Sequence, residues 1–130
     1  MDKIGAYMSS PVLTTSPDTF AYDAVREMFE HNVGALLVKE NEEYVGIFAK
    51  TDWIHKVLKW EGDPIAIKVS SIMTAPIITV ERDEPLAKAS LLMEKNRIRH
   101  IAVIDKEQIV GMLSVKDLER YYRKLYKMEL

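Results

Sequence analysis

Short apolar runs punctuate the chain at regular intervals, and they come in distinct kinds. Val12-Leu13-Thr14-Thr15 and Ile77-Ile78-Thr79-Val80 each follow a proline and give way to polar residues, which predicts short strands. Ala35-Leu36-Leu37-Val38 and Ile101-Ala102-Val103-Ile104 are continuously apolar, the pattern of strands buried on both faces. A polar turn follows each (40–43 and 105–108), then another apolar run (44–48 and 109–113), so each pair predicts a hairpin. Between the first and second strands the period lengthens to that of a helix. Ala21, Ala24, Val25 and Met28 fall on one face, as do Leu86, Ala89, Leu92 and Met93. Asp18 and Asp83 stand where the N-caps of these helices belong, and Asp52 and Asp117 fall in the first turn of a closing helix.

The two halves are copies. Displacing the chain by 65 residues superposes 8–52 on 73–117 without a gap, matching Met8 with Met73, Pro11 with Pro76, Asp18 with Asp83, Met28 with Met93, Gly46 with Gly111 and Asp52 with Asp117. Each copy reads β-α-β-β-α. A copy of roughly 60 residues is near the lower limit for an independent core, and two packed together relieve that limit. The expected organisation is one module over 1–130, with the first repeat at about 4–60, a linker at about 61–68 around Gly62 and Pro64, and the second repeat at about 69–130.

Composition narrows the chemistry. The 130 residues carry a net charge of −2, which gives no general attraction to nucleic acid or anionic membrane. There is no cysteine, so disulfides, thiolate nucleophiles and cysteine-ligated zinc are excluded. No apolar run approaches the roughly 20 residues of a membrane span and no signal-peptide core is visible, so the expected location is the cytoplasm.

The stretches Ile72-Met73-Thr74-Ala75-Pro76-Ile77-Ile78-Thr79-Val80, Arg97-Ile98-Arg99-His100-Ile101-Ala102-Val103-Ile104-Asp105 and Gly111-Met112-Leu113-Ser114-Val115-Lys116-Asp117 closely resemble the motifs of cystathionine-β-synthase-type (CBS) repeats. Tyr7-Met8-Ser9-Ser10-Pro11-Val12 and Gly46-Ile47-Phe48-Ala49-Lys50-Thr51-Asp52 resemble them in the first copy. The chain is thus similar to a tandem CBS pair, or Bateman module, over nearly its whole length. The resemblance implies an α/β (α+β) fold of two pseudo-twofold-related β-α-β-β-α repeats packed sheet to sheet. It also implies clefts that in many relatives take AMP, ADP, ATP or another adenosyl ligand as a regulatory ligand, and pairing into a homodimer.

The family's ribose signature is Ser or Thr followed three positions on by Asp. Ser114 and Asp117 carry it intact; the first copy keeps Asp52 but has Ala49 at the hydroxyl position. A carboxylate at a helix start can accept both ribose hydroxyls. Both aspartates equally suit the plainer role of helix caps. For the main cleft the resemblance adds Met112, Val12 and Leu13 around the adenine, with Arg99, His100 and Lys50 toward the phosphates. For the second cleft it adds Ile47, Ile77 and Ile78, with Lys116. The first-copy counterparts of Arg99, His100 and Lys116 are read as Gly34, Ala35 and Lys50, so the second copy is the better equipped.

Rival functions are weaker. His31, His55 and His100 occupy unrelated repeat positions, and no nucleophile-base set or metal spacing is present, so no enzyme, catalytic cofactor or metal is expected. The stretch Arg120-Tyr121-Tyr122-Arg123-Lys124 has the composition of a nucleic-acid stripe but is short, and reads as well as the outer face of an amphipathic helix. Leu118, Tyr121, Tyr122 and Leu125, with Trp53, Val57 and Trp60 in the first copy, suit a homodimer interface. The alternatives to a nucleotide sensor are an interaction module with vestigial clefts, or a binder of another adenosyl ligand such as S-adenosylmethionine. An effector protein is expected but not named.

Overall fold

A computed structural model describes residues 2–127; residue 1 and residues 128–130, the end of the predicted second repeat, lie outside the described residues. The chain divides into two compact units. One is Leu13–Ile77; the other joins the described residues up to Val12 to those from Ile78 onward.

In the first-repeat unit, β1 (Thr14–Thr15) runs parallel to β2 (Ala35–Glu40), which pairs antiparallel with β3 (Glu43–Ala49). The parallel pair requires a crossover, supplied by α1 (Ala21–Glu30). Its stripe of Ala21, Ala24 and Met28 is fully buried in one cluster with Leu36, Val38 and Phe48. Each such side chain of leucine or phenylalanine size contributes about 1.5–3 kcal/mol by leaving water. The β2–β3 turn uses left-handed φ at Asn41 and Glu42, the twist a two-residue hairpin needs. α2 (Lys50–Val57) starts where β3 ends, and α3 (Val69–Ile72) follows a 3-10 turn at Pro64–Ala66.

The second-repeat unit repeats the plan. β4 (Thr79–Glu81), β5 (His100–Asp105) and β6 (Gln108–Ser114) form the same order of one parallel and one antiparallel pairing, with α4 (Leu86–Asn96) as crossover and α5 (Val115–Leu125) as closing helix. Its core holds Leu86, Ala89 and Met93 of α4 against Ile101, Val103 and Leu113. The two three-stranded sheets and the β-α-β-β-α order in both repeats are those expected from the apolar pattern.

The predicted helix starts are corrected. The N-cap of α1 is Phe20 and that of α4 is Pro85, two residues beyond Asp18 and Asp83. Neither Phe20 nor Pro85 offers a capping side chain. The Ala21 N–H at the start of α1 instead donates to the Ile67 carbonyl at 2.8 Å. Asp18 belongs to the preceding turn, where its N–H donates to Ser16 Oγ at 3.2 Å.

Compact unit and sequence repeat are different stretches of chain. Ser9, ahead of the first repeat's strands, pairs with Met112 of β6: its N–H donates to the Met112 carbonyl at 2.8 Å and its carbonyl accepts the Met112 N–H at 3.0 Å. Thr74, ahead of the second repeat's strands, makes the same pair of bonds with Ile47 of β3 at 2.8 and 2.9 Å. Each repeat's lead-in segment thus completes the sheet of the unit built from the other repeat's hairpin.

Candidate functional site

At the junction of β6 and α5, Ser114 is the N-cap and Asp117 the third helical residue. The two close a reciprocal box. Ser114 N–H and Oγ–H donate to Asp117 Oδ2 at 2.8 and 3.1 Å, and the Asp117 N–H donates to Ser114 Oγ at 3.3 Å. Asp117 is the one buried charged residue among those described, at 7% exposure. Its other oxygen, Oδ1, lies 3.5 Å from Arg120 Nη1, one helical turn on. Arg120 Nη2 also donates to the Tyr7 carbonyl at 3.1 Å, and its guanidinium carbon is 5.7 Å from the Tyr7 ring centroid.

The strand register brings further predicted residues to this junction. His100 of β5 is opposite Ser114, and the Arg99 carbonyl accepts the Val115 N–H at 3.0 Å. His100 is half-buried while Arg99 and Lys116 are exposed. The Arg99 side chain also lines a groove of about 440 Å³ between α4 and α5, beside Arg97, Ile98, Leu118 and Tyr122. Met112 sits two residues before Ser114, half-buried and paired with Ser9; Val12 and Ile78, also half-buried, belong to the same unit.

The first-repeat unit has the matching junction with one part missing. Ala49 N–H donates to Asp52 Oδ2 at 2.8 Å, but alanine has no oxygen to return a bond to the helix. Asp52 Oδ1 accepts the Thr74 hydroxyl at 3.3 Å instead of facing an arginine. Burial raises the Asp52 carboxyl above its ordinary value, opposed by the Ala49 N–H, the Thr74 hydroxyl, and the charges of Lys56 and His55. Ile47 is buried; Leu13, Ile77 and Lys50 are partly so. Lys50 Nζ sits 4.4 Å from the centroid of the Phe29 ring. The pairing of Lys50 with Lys116 is corrected: at the 65-residue offset Lys116 matches Thr51, and Lys50 matches Val115.

Ala49 and Ser114 have nearly the same backbone, φ −112 and ψ 159 against φ −117 and ψ 166. Ala49→Ser therefore needs no rearrangement to complete the box, and is expected to stabilise the fold by about 0.5–1 kcal/mol. A shift of the urea midpoint to higher concentration checks this; an unchanged midpoint refutes it.

Sequence reasoning missed Arg120, Tyr7 and Thr74. The i, i+3 spacing of Asp117 and Arg120 was a usable signal. Tyr7 and Thr74 lie far off in the chain, where no local pattern announces them. Among the described residues, no cluster of three or more histidine, aspartate or glutamate side chains could hold a metal, and no helix is long and apolar enough to cross a membrane.

The sequence matches the family model of the CBS domain twice, over 4–59 and 69–124. It is 40% identical over 111 residues, 82% of the chain, to a mitochondrial CBS domain-containing protein, CBSX3, of Arabidopsis thaliana, and spans 53% of that protein's length. Among solved structures it resembles a protein with CBS domains from Burkholderia ambifaria, with a TM-score of 0.86 and 28% identity, covering 99% of this chain and 97% of that one. It also resembles the CBS domain pair of protein MJ0100 in complex with 5′-methylthioadenosine and S-adenosyl-L-methionine, with a TM-score of 0.83 and 25% identity over 95% of this chain and 98% of that one.

Proposed function

This chain belongs to the CBS domain family, and from that premise we propose that it is a regulatory module binding an adenine nucleotide (AMP, ADP or ATP) and reporting its occupancy to another protein. The observation that carries the reading is the Ser114–Asp117 box: a buried carboxylate held by its own cap, with His100 opposite Ser114 in the strand register. In this reading Asp117 accepts the ribose hydroxyls, Met112 and Val12 lie along the base, and Arg99 and His100 serve the phosphates. The adenosyl ligands of the MJ0100 pair support the ligand class. Asp52, with Ile47 and Ile77, forms the weaker counterpart, since Ala49 supplies no hydroxyl. The module performs no catalysis in this reading. It acts by linkage: a ligand that favours one conformation of the chain shifts the population its partner meets.

The partner includes a second copy. Of the predicted interface residues, Tyr122, Leu125 and Trp60 are exposed and are what association would cover, whereas Leu118 is buried and Tyr121, Trp53 and Val57 pack against the cores of their own units.

Calorimetric titration of nucleotide-stripped chain with AMP, ADP, ATP and S-adenosylmethionine tests the assignment, with light scattering on the same sample to give its mass. Saturable heat with an adenine nucleotide at about one site per chain is the expected result. Heat with S-adenosylmethionine alone replaces the nucleotide by another adenosyl ligand. No heat with any of the four leaves the interaction module, and a monomeric mass at micromolar concentration removes the homodimer.

A further inference from the structure

Resting on that reading, we propose that Arg120 is an internal competitor for the Asp117 carboxylate, a latch that a bound diol opens. Asp117 Oδ2 already accepts two bonds from Ser114, so the acceptor capacity left for a ligand lies mainly on Oδ1, where Arg120 sits. At 3.5 Å this ion pair is longer than the 2.7–2.9 Å of a tight charge-assisted bond, and the arginine side chain is 56% exposed. It is a contact that a ligand can replace.

Opening it has a local consequence. Arg120 is also the donor to the Tyr7 carbonyl and, with Lys124, one of two cations near the Tyr7 ring, a ring that meets Tyr121 of α5 edge-on at 5.3 Å, while Tyr121 meets Tyr122 at 5.4 Å. Withdrawing the guanidinium from Asp117 therefore disturbs the packing of α5 against the segment that carries Tyr7. The last turns of α5 and the residue after it, with Leu125 and Tyr126 exposed, become the part of the unit that differs between empty and occupied states. The first-repeat unit lacks the device: His55 stands in the place of Arg120, Ile72 in the place of Tyr7, and the neutral Thr74 hydroxyl fills Asp52 Oδ1. The two aspartates thus differ in how a ligand must compete for them.

The test titrates wild type, Arg120→Met and Arg120→Lys with adenosine and with AMP, and follows amide hydrogen exchange across 121–127. Arg120→Met is expected to bind adenosine about threefold tighter than wild type, the scale of a half-exposed ion pair, with Arg120→Lys in between. Its α5 amides without ligand should exchange like those of occupied wild type. Adenosine binding by Arg120→Met that is equal to wild type or weaker overturns the latch alone. So does a loss specific to AMP, which would make Arg120 a phosphate contact. Wild type that binds neither compound sinks the site assignment and the latch with it. A thermal melt of each variant separates these outcomes from unfolding, which the exposure of Arg120 argues against.

Discussion

Gly111→Ala and Gly46→Ala are each expected to destabilise the fold by about 2 kcal/mol, a loss typical of overpacking. Neither glycine has a left-handed φ; the constraint is space. A Cβ on Gly111 would lie 2.5 Å from Met8 Sδ and 2.9 Å from the Ser9 carbonyl oxygen. On Gly46 the same atom would lie 2.7 Å from Met73 Sδ and 2.9 Å from the Thr74 carbonyl oxygen. The methionines can turn away. The carbonyls cannot, because they accept the N–H groups of Met112 and Ile47, the bonds that attach each lead-in segment to the edge of its sheet. Gly5→Ala is the control, since its Cβ would meet only the flexible Arg82 side chain, at 3.0 Å. Urea denaturation of the three variants checks the idea, which fails if Gly111→Ala is no more damaging than Gly5→Ala.

These two glycines mark the boundary of what the sequence could disclose. Their duplication was visible, and so were the hairpins and the helical stripes, because apolar periodicity is local and each copy corroborated the other. What Gly46 and Gly111 make room for was not visible. The lead-in segments attach to the hairpins of the opposite repeats, Ser9 beside Met112 and Thr74 beside Ile47, and the 65-residue identity is satisfied equally well by either attachment. Asp18 and Asp83 misled for a different reason: an aspartate in a turn has the same local signature as one at a cap, and the carbonyl that serves the start of α1 comes from Ile67, far along the chain. At the candidate site, Ser114 and Asp117 were legible as a pair because helix-start chemistry fixes their spacing. Arg120 was read only as part of a basic stripe, although its i, i+3 spacing from Asp117 was a usable signal. Its partner Tyr7 is 113 residues away, and contact at that separation leaves no mark on composition.

Asp117→Ala is expected to lower affinity for an adenine nucleotide by at least about a hundredfold, the loss of two charge-assisted hydrogen bonds to a ribose. The same change should cost the fold about 1–2 kcal/mol, because the Ser114 N–H loses its acceptor at the helix start. The two effects are separable. Asp117→Asn keeps an oxygen that can accept the Ser114 N–H, so most of the stability should return. Affinity should not, because with the amide oxygen kept by the Ser114 N–H the amide nitrogen takes the place of Oδ1, and it carries donors where the ribose hydroxyls need an acceptor. Asp52→Ala gives the comparison within the same chain. With Ala49 beside it in place of serine, Asp52 should contribute less to binding, and its removal should cost less than tenfold if the second repeat holds the principal site. Calorimetric titration of the three variants, each first checked by thermal melt, reads all of this. Full affinity in Asp117→Asn would make the aspartate a cap and nothing more. A larger loss from Asp52→Ala than from Asp117→Ala would move the principal site to the first repeat.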